Sequence, residues 1–161
     1  MNEEKLIARD RMRYTKNSLS STLAYLAIVF DVLYFISIYK SDVGSYYYNI
    51  LIGASILYNL VFLLAAFLAS EGVKNYSKGL SWLMCGLGAG QIVRIFIIPV
   101  KAHAATVALN GQDVVVMENG QFARVVVYLV LSAACCIASG AVGLYKSKEL
   151  SEHLSSLTAE G

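Results

Sequence analysis

Residues 19 to 39 read LSSTLAYLAIVFDVLYFISIY, and residues 79 to 100 read GLSWLMCGLGAGQIVRIFIIPV. Each is an apolar run long enough, at about 1.5 Å per helical residue, to cross a hydrocarbon core of about 30 Å. Each also carries a single charge well inside it, Asp31 in the first and Arg94 in the second. Charge in lipid is costly, so it is kept where it pairs, lines a path or ties helices together. Two further apolar runs, about 47 to 69 and 124 to 145, bring the expected spans to four.

Composition agrees with that reading. The chain has 161 residues, of which 57% are hydrophobic and 15% charged, with one proline and a mean hydropathy of +0.59. A soluble domain carries about 25% charged residues. The four runs use most of the sequence, and a separate soluble catalytic domain of about 50 residues or more has no room. The expected fold is an all-α integral membrane protein, one domain over 1–161, with four transmembrane helices in a compact bundle.

Lysine and arginine give the orientation, because cytoplasmic flanks retain them while acidic residues count for little. Lys5, Arg9, Arg11, Arg13, Lys16, Lys74, Lys78, Lys146 and Lys148 fall on one side, against Lys40, Lys101 and Arg124 on the other. Both termini are therefore expected in the cytoplasm. The first run is too long for a signal-peptide core and ends at Ile38-Tyr39-Lys40 without a small-residue cleavage pattern, so it is expected to remain as an anchor. The net charge of +2 orients the chain and does not make the concentrated basic surface of a nucleic-acid binder. Short connections and cytosolic ends suit the plasma membrane of a bacterium, its inner membrane.

Aromatic rings favour the headgroup level. Tyr39, Tyr46, Tyr47 and Tyr48 crowd the expected outer boundary, and Tyr76, Trp82 and Tyr145 the inner one. Tyr25, Tyr34 and Tyr58 lie deeper, where their hydroxyls need partners. The only long connection, 101 to 121, holds Asn110-Gly111 and Asn119-Gly120 around Val114-Val115-Val116. Asn-Gly favours tight hairpin turns, so a small β-hairpin is expected in this outer loop between the third and fourth helices. Residues 3 to 17 read as a short helix on the inner leaflet, and Leu150, Leu154 and Leu157 give the tail a short amphipathic stripe.

Spans one and three both run outward, which places Asp31 about 12 Å and Arg94 about 9 Å below the outer boundary. Gln91 lies one turn below Arg94 on the same face, while Ser55 and Asn59, on the inward-running second span, come at about 12 Å and 18 Å. An intramembrane polar cluster of Asp31, Arg94, Gln91, Ser55, Asn59 and Tyr34 is therefore expected. Gly86 and Gly90 have GxxxG spacing on the arginine's face, which allows a neighbouring backbone close approach. The fourth span offers Ser132, Cys136, Gly140 and Gly143 as a matching small face. The cluster reads as an interhelical clamp; its functional alternative makes Asp31 a proton- or cation-responsive group and Arg94 an anchor for an anionic solute.

Catalytic chemistries lack their residues. Cys85, Cys135 and Cys136 sit in apolar runs without a Cys-x-x-Cys pair. His103 and His153 fall on opposite sides of the membrane, too few and too far apart for a metal or haem. Gly86-Leu87-Gly88-Ala89-Gly90 follows no strand, so it does not read as a dinucleotide fingerprint. No cofactor is expected. The role expected is a non-catalytic accessory, assembly or regulatory subunit of a membrane complex, partnered by other subunits or by itself. The alternative is a small oligomeric transporter or channel using the Asp31/Arg94 cluster.

Overall fold

Asn17 opens the first helix without capping it: its Nδ2 donates instead to the carbonyl of Val73, at the far end of the second helix. In the computed structural model, which describes residues 3, 4, 6 to 8, 11, 17 to 39, 50 to 109 and 112 to 159, α1 is Ser18–Ile38, α2 Ile50–Lys74, α3 Lys78–Ile97 and α4 Pro99–Ala104. Strands β1, Thr106–Leu109, and β2, Gln112–Val115, come next, and α5 runs from Asn119 to Ala159. Among the described residues four helices are long and apolar enough to cross a membrane, the third counted through Ala104.

The ends of these helices have local causes. Helix α2 stops in a turn where Tyr76 takes a left-handed φ of 59°. The Ser77 N–H donates to the Gly72 carbonyl (3.0 Å) and the Tyr76 N–H to that of Val73 (3.2 Å), the bond pattern of a Schellman stop, with Tyr76 where glycine is usual. Ser77 then caps α3 by accepting from the Leu80 N–H. Gly72 admits the Leu80 side chain, which would collide with any Cβ there. The third apolar run, expected to be unbroken to Val100, is interrupted at Ile98 because Pro99 lacks the N–H that would continue the ladder.

Helix α5 departs most from expectation. The sequence pattern predicts a span over 124–145 and then a tail, whereas α5 is a single helix of 41 residues, about 62 Å at the helical rise. Hydropathy falls after Tyr145, but no proline or glycine interrupts the backbone ladder between Gly143 and Ala159. Lys146 pairs with Glu149 at 3.1 Å and Lys148 with Glu152 at 3.8 Å along its polar end. Strands β1 and β2 pair antiparallel, Thr106 opposite Val115 and Leu109 opposite Gln112. The Asn110-Gly111 turn between them and the Tyr46-Tyr47-Tyr48 run lie outside the described residues.

The helices meet along a three-four spacing. The buried face of α1 is Ser20, Ala24, Ala27, Asp31, Tyr34 and Ile38; that of α2 is Ser55, Asn59, Phe62, Ala66, Ala69 and Val73. Helix α5 contributes Val125, Leu129, Ser132, Cys136 and Ser139, and such seven-residue recurrence keeps one stripe facing a neighbouring helix. Two apolar cores result. One gathers Tyr34, Ile38, Ile98, Met117, Val125 and Leu129, and the other Ala24, Ala27, Phe62, Ala66, Met84 and Cys136. Asp31 stands between Ala27 and Tyr34, at the junction of the two.

Candidate functional site: the buried polar cluster

Register brings the polar groups together. Helices α1 and α5 run antiparallel, locked by Ser20 and Ser139, each hydroxyl donating to the other's carbonyl at 2.7 Å. The Ser132 hydroxyl donates to the Ala27 carbonyl at 3.0 Å, and Gln121 Nε2 to those of Ser37 and Ile38 at 2.9 and 3.2 Å. The seven-residue step from Ser20 to Ala27 on α1 thus matches the retreat from Ser139 to Ser132 along α5, and the next step, to Ser37 and Ile38, matches the retreat to Gln121. The fixed α1 presents Asp31 toward α3, itself drawn onto α5 through small residues.

Those small residues are not the pair expected. A Cβ on Gly86 would meet nothing within 4 Å, and one on Gly90 only the Tyr58 hydroxyl at 3.0 Å. Gly88 is the glycine of the contact: a Cβ there would stand 2.6 Å from Ile137 and 3.0 Å from the Ala133 carbonyl. On α5, Gly140 faces Cys85 and the Ser81 carbonyl, and Gly143 faces the hydroxyls of Ser81 and Ser20. Cys136 is fully buried beside Gly88. Two residues along a helix turn its face by about 200°, so the approach lies on the side of α3 away from Gly86 and Gly90.

At the junction, Asp31 Oδ1 accepts from Gln91 Nε2 at 2.7 Å and from an Arg94 terminal nitrogen at 3.1 Å. The other terminal nitrogen of Arg94 donates to Asn59 Oδ1 at 2.8 Å. Three helices therefore converge on one guanidinium: α1 gives the carboxylate, α2 the amide and α3 the arginine with its glutamine one turn below. Aromatic rings flank the cation, that of Tyr34 at 4.2 Å and that of Tyr58 at 4.8 Å from its centre, within the range of cation–π attraction. Asp31, Gln91 and Tyr34 are 0% exposed, Asn59 1% and Arg94 4%. The opposite charges face each other in the buried interior of the helices.

Ser55 does not join this group. Its hydroxyl accepts from Tyr39 at 3.3 Å, nearer the end of α1. Of the deeper tyrosines, Tyr25 donates to Glu71 Oε1 at 2.8 Å and Tyr58 lies against Arg94, while the Tyr34 hydroxyl has no partner among the described residues. Asp31 Oδ2, Gln91 Oε1 and Arg94 Nε are likewise buried and unpaired among the described residues, and each such group costs about 1 to 3 kcal/mol if left unsatisfied. Sequence reasoning missed Ser20, Ser139, Ser81 and Gly88; the three-four spacing of small and polar residues along α1 and α3 was the signal that finds them.

Among the described residues no three His, Cys, Asp or Glu side chains gather as a metal ion requires, and the three cysteines are free. His103 stacks on Phe122, ring centres 4.5 Å apart, and donates through Nδ1 to the Met117 carbonyl at 3.0 Å. It thereby ties α4 to the start of α5. No protein-family model, no curated protein and no solved structure matches the chain.

Proposed function

We propose that this chain is a four-span protein of the plasma membrane, with both ends cytoplasmic, that serves as a non-catalytic subunit completing the membrane domain of a larger assembly. The observation that carries the reading is the segregation of polarity. Asp31, Arg94, Gln91 and Asn59 are consumed in one inward network, while Leu57, Leu60, Val61, Leu64 and Phe67 on α2 and Val93, Phe96 and Ile97 on α3 are turned outward and exposed. Such faces suit lipid or the helices of another subunit. Trp82, exposed near the start of α3, and Tyr145, exposed where the apolar part of α5 gives way to its charged end, fit an interfacial belt.

Extraction from the native membrane in a mild detergent, followed by size separation and mass spectrometry, tests the subunit role. A stoichiometric heteromeric complex supports it, and a homogeneous assembly of this chain alone refutes it. One observation favours the second reading, a small oligomeric transporter or channel: Asp31 keeps an unpaired carboxylate oxygen among the described residues at the buried centre. Protein reconstituted in vesicles would then move protons or a solute, and Asp31→Asn would abolish that movement.

A further inference from the structure

Helix α2 carries two charges, Glu71 and Lys74, one turn apart at its end. Both lie within Ser55–Lys74, the stretch of α2 that is long and apolar enough to cross a membrane. Charged groups in such a stretch almost always turn into the bundle and pair there, as Asp31 and Arg94 do. Glu71 and Lys74 turn outward instead, both exposed, and neither makes an ion pair among the described residues. The carboxylate is held by α1: Glu71 Oε1 accepts from the Tyr25 hydroxyl at 2.8 Å. A phenol brings no charge, so the anion and the cation both stand open to a ligand from outside the bundle.

We propose that the start of α1 and the end of α2 bind the headgroup of an aminophospholipid, phosphatidylethanolamine, with its ammonium on Glu71 and Tyr25 and its phosphate on Lys74. Residues three apart are neighbours on a helix surface, about 5 to 6 Å between their Cβ atoms. Glu71 and Lys74 therefore offer an anion and a cation side by side, and the headgroup carries the opposite pair across a short ethanolamine link. An ammonium has three donors and no acceptor. The Glu71 carboxylate accepts from it, and the Tyr25 oxygen keeps a lone pair after donating its own proton. The Tyr25 ring packs on that of Phe67, centroids 6.5 Å apart and planes tilted by 59°, and both rings are exposed. Their faces add cation–π attraction beside the carboxylate.

The acyl chains have a path from the same place. Phe67, Leu64 and Leu60 recede from Glu71 at a three-four spacing toward the middle of α2, and each is more than half exposed. Charge and hydrogen bonding choose among headgroups. Phosphatidylglycerol satisfies Lys74 but sets a lone negative charge beside Glu71. Phosphatidylcholine has the right charges without an N–H to give the carboxylate. The primary ammonium meets both demands.

The proposal rests on the reading of these helices as membrane spans and not on the subunit role. The full chain is purified in a mild detergent and mixed with equal amounts of phosphatidylethanolamine, phosphatidylcholine and phosphatidylglycerol of the same acyl chains, and the lipid retained is read by native mass spectrometry. Phosphatidylethanolamine is expected to be retained several-fold over the other two, the preference falling stepwise through its N-methyl and N,N-dimethyl forms. Glu71→Gln is expected to abolish the preference and Tyr25→Phe to weaken it, with helix content by circular dichroism as in the parent. Equal retention of the three lipids overturns the proposal, and so does a preference unchanged in Glu71→Gln. The methylation series uses the unaltered chain, so it decides even where a variant does not fold. Flotation with vesicles tests the spans separately: a chain that floats without discriminating among headgroups overturns the site alone, and one that stays in solution without detergent overturns both.

Discussion

Replacing Arg94 by Leu leaves the Asp31 carboxylate fully buried with one remaining hydrogen bond, from Gln91. It also orphans Asn59 Oδ1 and strips both tyrosine rings of their cation. Removing one member of a buried ion pair costs about 3 to 5 kcal/mol, because the other charge stays behind uncompensated. Asp31→Leu is expected to cost a similar amount by stranding the guanidinium. The double variant removes both charges and leaves only the amides of Gln91 and Asn59 short of partners. Its loss is therefore expected to fall about 1 to 3 kcal/mol below the sum of the two single losses. Neutral cross-helix hydrogen bonds in bilayers average only about 0.6 kcal/mol, since unfolded helices find other partners in lipid. A coupling above 1 kcal/mol thus separates a charge pair from an ordinary polar contact. The assay is reversible unfolding in lipid–detergent micelles, followed by circular dichroism as a denaturing detergent is added. Additivity within about 0.5 kcal/mol refutes the argument.

The two glycine classes on α3 should part company under the same assay. Gly86→Ala meets open space and is expected to be neutral or to stabilise by up to about 1 kcal/mol through helix propensity, whereas Gly88→Ala drives a methyl into Ile137 and the Ala133 carbonyl and is expected to lose about 1 to 3 kcal/mol; equal effects would disprove the assigned contact face. Gly140→Ala, facing Cys85 and Ser81, should lose a comparable amount, and a variant as stable as the parent would show that α3 and α5 do not approach there. Ser20→Ala and Ser139→Ala should each cost about 0.6 to 2 kcal/mol, with the pair non-additive because the two hydroxyls also lie 3.3 Å from each other. A maleimide that enters membranes should leave the fully buried Cys136 unmodified until the protein is unfolded, as read by mass spectrometry; labelling of Cys136 in the folded protein at the rate of the half-buried Cys85 and Cys135 would contradict its place in the core.

What the sequence made legible follows from what each inference rests on. Apolar run length rests on backbone rise alone, and it located all four long helices. Depth rests on the same rise, which is why Asp31, Gln91, Asn59 and Arg94 could be set at neighbouring heights before any packing was known. Azimuth does not. Choosing Gly88 over Gly86 and Gly90, or sending Ser55 to Tyr39 instead of Arg94, requires the rotation of each helix, and alternating glycines carry no bulk to reveal it. The three-four recurrence of Ser20, Ala24, Ala27 and Asp31 held that information in small and polar residues that hydropathy does not register. The length of α5 was hidden for the opposite reason. Polarity rises after Tyr145, but a helix ends where its backbone ladder is broken, and the residues from Lys146 to Ala159 hold no proline or glycine and pair charges along the surface.

That unbroken ladder gives α5 the mechanics of a lever. The hairpin strands and the His103–Phe122 stack sit at one end of a rod without a joint, and the charged segment holding Glu149 and Glu152 sits at the other. A load on the charged end is carried past the interlocked serines toward the hairpin by an unbroken backbone, with no joint to absorb it.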